Sequence, residues 1–543
     1  MKSNVGRRQF LIRSGVASAA ALAAGAVGAA AEAASCNEKS GDKLVIKGLV
    51  FQKPEHLPAK YPPDREPLAD QPNGPGGQGG PGGGNQGAQG GPGGQGSAQG
   101  GPGGAGGPGG QGGPGGQGGP PQRVSTTASA ILVEDGKYLA DKSKTSAVAE
   151  GKVTDAFAKG VKVSSTDKGV GGIYAKGIGT EFTLADATID LSGDVDEMDS
   201  ATGAASSTDY ATLILRNCTI NTSGYKRMAT SAHGHSTLKV YNSTLKVSGI
   251  PFTTDFSTTA QKTQLEVDGN TRAHVTVENS YSYFYYSTIV AEGWGALSTD
   301  GSDGFVYLEA NHCNIKTLSA GYGTYSDSGC HNVFNSCTFD VAGMGAILAD
   351  ESDITFTDVK AKCGSYFALI HNVGTVTDIA TLSVLGGEVT TKKAAILTKS
   401  ANTDILFDGV KLKTENGVLI QSTISKDPGA KKAYKPTVTV LGIHARFKNM
   451  DVEGDVLHDD QEARPMTIYL EEATLKGAVK GARLSINRLS KWFATADSTV
   501  TLAGDVELGQ IDAAAGVTIT ATAAGNAGKY KLASCGMLIV KSA

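Results

Sequence analysis

Five polar side chains are spaced so that they can do proton chemistry: Asp300, Asp327, Asp350, His371 and Lys399. Each ends or directly follows a short, mostly apolar run. Carboxylates, an imidazole and an ammonium gathered in one place can pass a proton and hold the charge that develops. Asp327 and His371 are the expected proton-transfer pair. Asp300 and Asp350 would orient hydroxyls or tune the histidine, and Lys399 would stabilise negative charge. Trp294, Tyr322, Tyr325 and Tyr366 are the expected ring contacts. Aromatic faces pack on the C–H groups of a polyhydroxylated ring while carboxylates accept its hydroxyl protons. The competing account is that an Asp after a strand bonds its own backbone in a turn. The aromatic rings could equally form a packed stack under a loop.

These residues recur because the chain repeats. Trp294-Gly-Ala-Leu-Ser-Thr-Asp300, Tyr322-Gly-Thr-Tyr-Ser-Asp327-Ser328 and Met344-Gly-Ala-Ile-Leu-Ala-Asp350 share a template. Tyr366-Phe-Ala-Leu-Ile-His371-Asn372, Lys393-Ala-Ala-Ile-Leu-Thr-Lys399 and Asn416-Gly-Val-Leu-Ile-Gln-Ser422 continue it. The numbering gives start-to-start steps of 28, 22, 22, 27 and 23 residues. A second column runs through Cys218-Thr-Ile220, Ser243-Thr-Leu245, Ser287-Thr-Ile289, Cys313-Asn-Ile315 and Cys337-Thr-Phe339 in nearly the same steps. Each unit therefore holds at least two short strands between Gly, Asn and Asp turns. No amphipathic helix separates them. The expectation is an all-β chain, a single-stranded right-handed parallel β-helix with coils about 4.8 Å apart.

Register then decides which side chains share a face. The fourth position of the rows reads Leu297, Tyr325, Ile347, Leu369, Ile396 and Leu419, and is expected to be the core column. Strict alternation turns positions one, three and five outward. Small residues at position three (Ala296, Thr324, Ala346, Ala368, Ala395, Val418) would floor a groove. Trp294, Tyr322, Met344 and Tyr366 would wall one edge, and the Asp–His–Lys set the other. Asp327 and His371 fall two coils apart with Ala349 between them, roughly 10 Å at strand spacing.

The rest of the chain divides by composition. Residues 1–35 read as an export signal: Gly6-Arg7-Arg8-Gln9-Phe10-Leu11-Ile12 resembles the twin-arginine motif and precedes an Ala-rich apolar run from Val16 to Ala31. Ala31-Glu32-Ala33 fits a cleavage site, and Cys36 follows a poor lipobox, leaving a lipid anchor as the lesser alternative. Residues 36–71 form an N-terminal segment in which Leu44–Phe51 reads as an accessory strand. Residues 72–122 are almost wholly Gly, Pro and Gln, a disordered arm or flexible linker rather than a collagen helix. Residues 123–436 carry the β-helix and the candidate site, and 437–543 the final coils and a C-terminal cap that covers the open edge.

Several chemistries are excluded. The formal charge of −4 on 543 residues argues against nucleic acid. No stretch argues for stable membrane insertion. There is no P-loop, dinucleotide fingerprint, Gly-x-Ser-x-Gly elbow or His-Glu-x-x-His, so no cofactor and no metal are expected. His233-Gly234-His235 lacks a third ligand, and Cys330-His331 reads as a loop. Of the seven cysteines, Cys313 and Cys337 stack in one inward column, as buried thiols or within reach of a disulfide. Nothing in the chain fixes an oligomeric state.

The repeat length and stacking over residues 170–530 resemble the right-handed β-helix group of pectate lyases, polygalacturonases and alginate epimerases. That resemblance implies a scaffold for sugar chemistry. The full polygalacturonase set of Asn-Thr-Asp, Asp-Asp and Gly-His-Gly is absent, and Tyr322-Gly-Thr-Tyr-Ser-Asp327 shares only the opening of the epimerase motif. Trp492, Ser498-Thr-Val-Thr501, Ile511-Asp512 and Gly516-Val-Thr-Ile519 resemble the closing coils of autotransporter passengers and adhesins. Two functions follow. One is an exported acid–base enzyme acting on a small-molecule or oligosaccharide substrate, a uronic-acid saccharide or a polyphenol, as lyase, epimerase or hydrolase. The other is a non-catalytic surface adhesin or envelope protein. Either would be periplasmic, cell-surface or extracellular.

Overall fold

The computed structural model describes residues 43–62, 128–195, 200–248, 265–266, 271–301, 304–372, 376–426, 441–460 and 464–543. The export signal, Cys36, its cleavage site and the Gly/Pro-rich arm lie outside these residues. What is described is a parallel β-helix with three strands per coil. One coil is Gly295–Thr299, Val306–Asn311 and Asn314–Thr317. The next is Tyr322–Ser326, Cys330–Asn335 and Thr338–Val341. Each strand pairs in parallel with its counterpart one coil on, giving a first, second and third sheet. Helix among the described residues is limited to 3-10 turns such as Thr145–Ala147.

The sequence builds the corners as well as the faces. Between the second and third sheets the chain bends at one left-handed residue per coil: Asp186, Asn217, Asn242, Tyr286, His312, Ser336 and Asp358, with φ from 50° to 54°. Asn and Asp tolerate this region better than most residues. The next residue turns inward and forms a ladder. The Cys218 amide donates to Ser243 Oγ at 3.0 Å, Ser243 to Ser287 Oγ at 3.1 Å, and Cys313 to Cys337 Sγ at 3.4 Å. Each hydroxyl or thiol thus satisfies a buried backbone donor of the coil before it. Cys313 and Cys337 are free thiols in this ladder, which removes the disulfide alternative.

Aromatic rings stack inside the coils. Phe334 lies 5.2 Å from Phe356, and Phe407 lies 5.8 Å from Phe447, both near parallel. Antiparallel pairings close both ends. Val148–Ala149 pairs with Lys162–Ser165 near the start, and Gly528–Lys531 folds onto Met537–Ser542 at the finish. Unpaired strand edges are blunted in this way.

The accessory strand is part of a longer strap. Val45–Ile46 pairs antiparallel with Val506–Glu507, and Leu49 bridges Ala503. The chain then runs along the axis over the second sheet. Phe51 packs under Arg483 at 4.0 Å, Lys53 pairs with Glu471, and Arg446 bonds the Pro54 carbonyl. His56 reaches Asp404 at 2.8 Å and Ser383 at 2.7 Å, and Lys60 lies 4.0 Å from Glu351.

On the first sheet the expected facing holds at Leu297, Ile396 and Leu419, which lie in the main core, and is reversed at Tyr325, Ile347 and Leu369. Gly295, not Trp294, is the register partner of Tyr322, and Ala368 pairs with Ile396 rather than Ala395. The rows slip by one residue at both places and again where Ile396 pairs with Ile420 rather than Leu419, and a one-residue slip exchanges the faces of a strand. Alternation also breaks within the strand. A Cβ on Gly323 or Gly345 would meet Phe339 or Phe367 of the core, so this glycine and the residue after it both face inward. Ala346 and Ala368 therefore sit in the main core, and Ile347 and Leu369 on the outer face. The small residues do not floor an outer groove.

Candidate functional site

The five polar residues fall along one edge, where the first sheet turns into the second. Asp300 and Asp327 follow strands Gly295–Thr299 and Tyr322–Ser326. Ala349, His371 and Lys399 are successive register partners. Asp350 follows Ala349 at a left-handed φ of 54°, and its amide donates to the His371 carbonyl at 3.2 Å.

Each is held by particular neighbours. Asp300 is ion-paired with Arg272, a residue that no row of the repeat announces because its strand, Arg272–Thr276, lies outside the template. Asp327 Oδ1 accepts the Ser328 amide at 2.9 Å, the turn contact typical of an aspartate. Burial pushes the Asp327 carboxyl up to about 6, and the charges of Asp300 and Asp350 add to the shift. Asp327 nevertheless remains half-buried rather than sealed. His371 is 2% exposed. Burial, with Lys399 adding repulsion, pushes its imidazole down to about 3. Lys399 is bonded to Glu266 at 2.7 Å, a second partner missed in the sequence.

The aromatic residues form a packed outer cluster. Trp294, Tyr322, Met344, Ile347, Tyr366, Leu369 and Leu397 are buried together with Leu265, and Tyr325 packs against them. Trp294 meets Tyr322 edge-on at 6.1 Å, and Tyr322 meets Tyr325 at 5.8 Å. The Tyr322 ring lies where a side chain at 295 would stand, 2.5 Å from a hypothetical Cβ, so only glycine fits there. Tyr322 Oη is 3.1 Å from Ser298 Oγ. Lys393 lies over the Tyr366 ring at 4.8 Å, and burial pushes the Tyr366 hydroxyl up to about 12. The rings spend their faces on one another and on Leu265, not on an open platform.

Other candidates resolve differently. Cys330 and His331 lie on strand Cys330–Asn335, not on a loop. His235 stacks on Tyr210 at 4.8 Å. Among the described residues no group of three His, Cys, Asp or Glu could hold a metal ion, and no helix is long and apolar enough to cross a membrane. A groove of about 350 Å³ on the third sheet is lined by Lys316, Asp340, Lys362, Lys392 and Glu415, none of them a site residue. No family model matches the chain, and no curated protein or solved structure does.

The edge can therefore do one thing well. A half-buried carboxyl titrating near neutrality, beside a carboxylate fixed by a guanidinium, can accept and return a proton at physiological pH. Asp300 Oδ1 and Arg272 Nε are buried there without a hydrogen-bond partner among the described residues. They offer an acceptor and a donor to a hydroxylated ligand.

Proposed function

We propose that this chain is an exported β-helix enzyme of the broad pectate-lyase-like kind, acting by general acid–base chemistry on a hydroxylated ring. The observation that carries the reading is the Asp327 carboxyl, half-buried and raised to about 6 between Asp300 and Asp350. Asp327 takes a proton from the substrate and returns it. Asp300, fixed by Arg272, receives a hydroxyl. His371, buried and neutral two coils away, is a polar neighbour of the edge rather than a base, with Lys399 balancing charge. A uronic-acid saccharide or a polyphenol fits this chemistry, and lyase, isomerase and hydrolase outcomes share its first step. The Gly6–Ile12 motif supports twin-arginine export.

A second reading, a non-catalytic surface protein, is favoured by the burial of Trp294, Tyr322 and Tyr366 and by the turn contact of Asp327. An activity screen of the mature protein against saccharide and phenolic libraries separates the two. Turnover that Asp327→Asn abolishes while the circular dichroism stays unchanged supports the enzyme. Turnover that survives Asp327→Asn, or none in either library, sinks it.

A further inference from the structure

We infer that His331 and Asp353 form a separate proton-accepting site for a phenolic hydroxyl, on the outer face of the second sheet. The two are register partners on adjacent coils, and His331 Nδ1 is bonded to Asp353 Oδ1. Asn332 and Phe334 do not compete for this face, because Phe334 belongs to the core stack and alternation puts His331 and Val333 outward.

The pair is arranged as a base and its orienting carboxylate. A carboxylate accepting from Nδ1–H fixes the tautomer that leaves the Nε2 lone pair to act. The imidazole makes its one hydrogen bond through Nδ1, so Nε2 has no partner among the described residues. Asp353 Oδ2 is buried with no partner among them either, on a residue 6% exposed. Such an atom is costly unless something uses it. A second hydroxyl on the ring would supply its donor.

The surroundings specify an aromatic ligand. Phe305 lies over the imidazole with ring centres 4.3 Å apart. Tyr307, the register partner of His331 in the preceding coil, packs with Tyr283, Val333, Tyr281 and Phe305 in a cluster of its own. Glu309 is not free to compete, since it accepts from Tyr307 Oη at 2.6 Å and from Asn311 at 3.1 Å. The site is screened from water, with His331 4% exposed, which strengthens the ion pair that forms. Phe305 is half-buried, and Ser328 and Glu351, close in sequence to His331 and Asp353, are exposed.

The step balances without a co-reactant. The phenol O–H bond breaks, Nε2 gains the proton, and the oxygen keeps the electron pair as a phenolate. Asp353 offsets the new imidazolium charge. Neither His331 nor Asp353 belongs to the Asp327 edge, so the inference stands or falls independently of turnover there.

The test uses 4-nitrophenol, whose phenolate absorbs in the visible, at a pH where the free phenol stays protonated. The mature wild-type protein should raise the phenolate absorbance saturably. His331→Gln should abolish the signal, and Asp353→Asn should weaken it at least about tenfold, with the melting temperature recorded for each. No saturable signal in the wild type overturns the inference without reference to any variant. A signal that persists in folded His331→Gln places the binding elsewhere and overturns it too.

Discussion

Arg272 and Asp300 form an ion pair across adjacent coils, under the edge of the outer aromatic cluster. The Arg272 side chain is 13% exposed and that of Asp300 31%, so solvent screens the pair only in part. Arg272→Ala strands a carboxylate against Tyr322 and Tyr325. The expected loss is about 3 kcal/mol of unfolding free energy, read by urea denaturation. Converting both partners, Arg272→Met with Asp300→Leu, should recover most of it. A single variant as stable as the wild type shows that the pair is solvated.

Asp327 should make the protein less stable than its own amide. Its folded carboxyl lies near 6, above the ordinary 3.8. A raised carboxyl favours the fold only while protonated. That contribution is whole below 3.8 and is lost as pH rises through 6. Asp327→Asn, whose amide oxygen can still accept the Ser328 amide, should therefore exceed the wild type by about 2 kcal/mol at pH 8. At pH 4 the two should converge. A pH-independent difference between them refutes the shift.

Two buried histidines oppose that trend in acid. His274 and His371 are each pushed down to about 3 from 6.5, chiefly by burial. His274 is held neutral between Thr230 at 2.9 Å and Thr276 at 2.7 Å. Their contributions are whole above 6.5 and are lost as pH falls towards 3, each at up to about 1.4 kcal/mol per pH unit. Melting temperatures should fall from pH 6 to 4, and His371→Gln should flatten the slope. An unchanged slope in that variant argues that His371 is hydrated.

Among the described residues Arg227 is bonded to no carboxylate. It is fully buried and donates to the carbonyls of Gly193, Val170, Thr202, Asp167 and Lys168. Arg227→Lys keeps the charge but loses the fork that reaches five acceptors. Both Arg227→Lys and Arg227→Ala should cost at least about 3 kcal/mol. Limited proteolysis should then cut first near residues 167–203. Equal resistance in the lysine variant is the outcome that counts against this account.

The cysteine ladder predicts a contrast between oxygen and carbon. Cys337→Ser keeps an acceptor for the Cys313 amide and should be nearly neutral. Cys337→Ala leaves that amide unpaired and should cost about 1–2 kcal/mol. Five cysteines are free and buried, and Cys535 is disulfide-bonded. In unfolded, unreduced protein Cys535 should resist alkylation and react only after reduction. Labelling of Cys535 before reduction contradicts the bond.

The architecture was legible because it is periodic. Hydroxyl and thiol residues from Cys218 to Cys337 mark one corner of every coil, and their register is that of the strands. The facing of the first sheet was legible at Leu297, Ile396 and Leu419 but not in the rows between them. A glycine at 323 or 345 lets two successive residues turn inward, and nothing in the spacing of Tyr322 or Met344 signals it. Arg272 and Glu266 escaped notice because their partners, Asp300 and Lys399, are set by the fold across long stretches of sequence. His331 looked like a loop residue because the three-residue corner Asp327-Ser328-Gly329 before Cys330 resembles a longer turn.

The strap from Val45 to Lys60 alters how the solenoid comes apart. In a stacked array each coil touches only its neighbours, so the ends can fray one coil at a time. A segment bonded to Asp505, Glu471, Asp404 and Ser383 in succession couples distant coils like a seam. Peeling any one of them must first unpick that seam. Mechanical or thermal unfolding of this half should therefore proceed as a single all-or-none event, while coils it does not cross unravel stepwise.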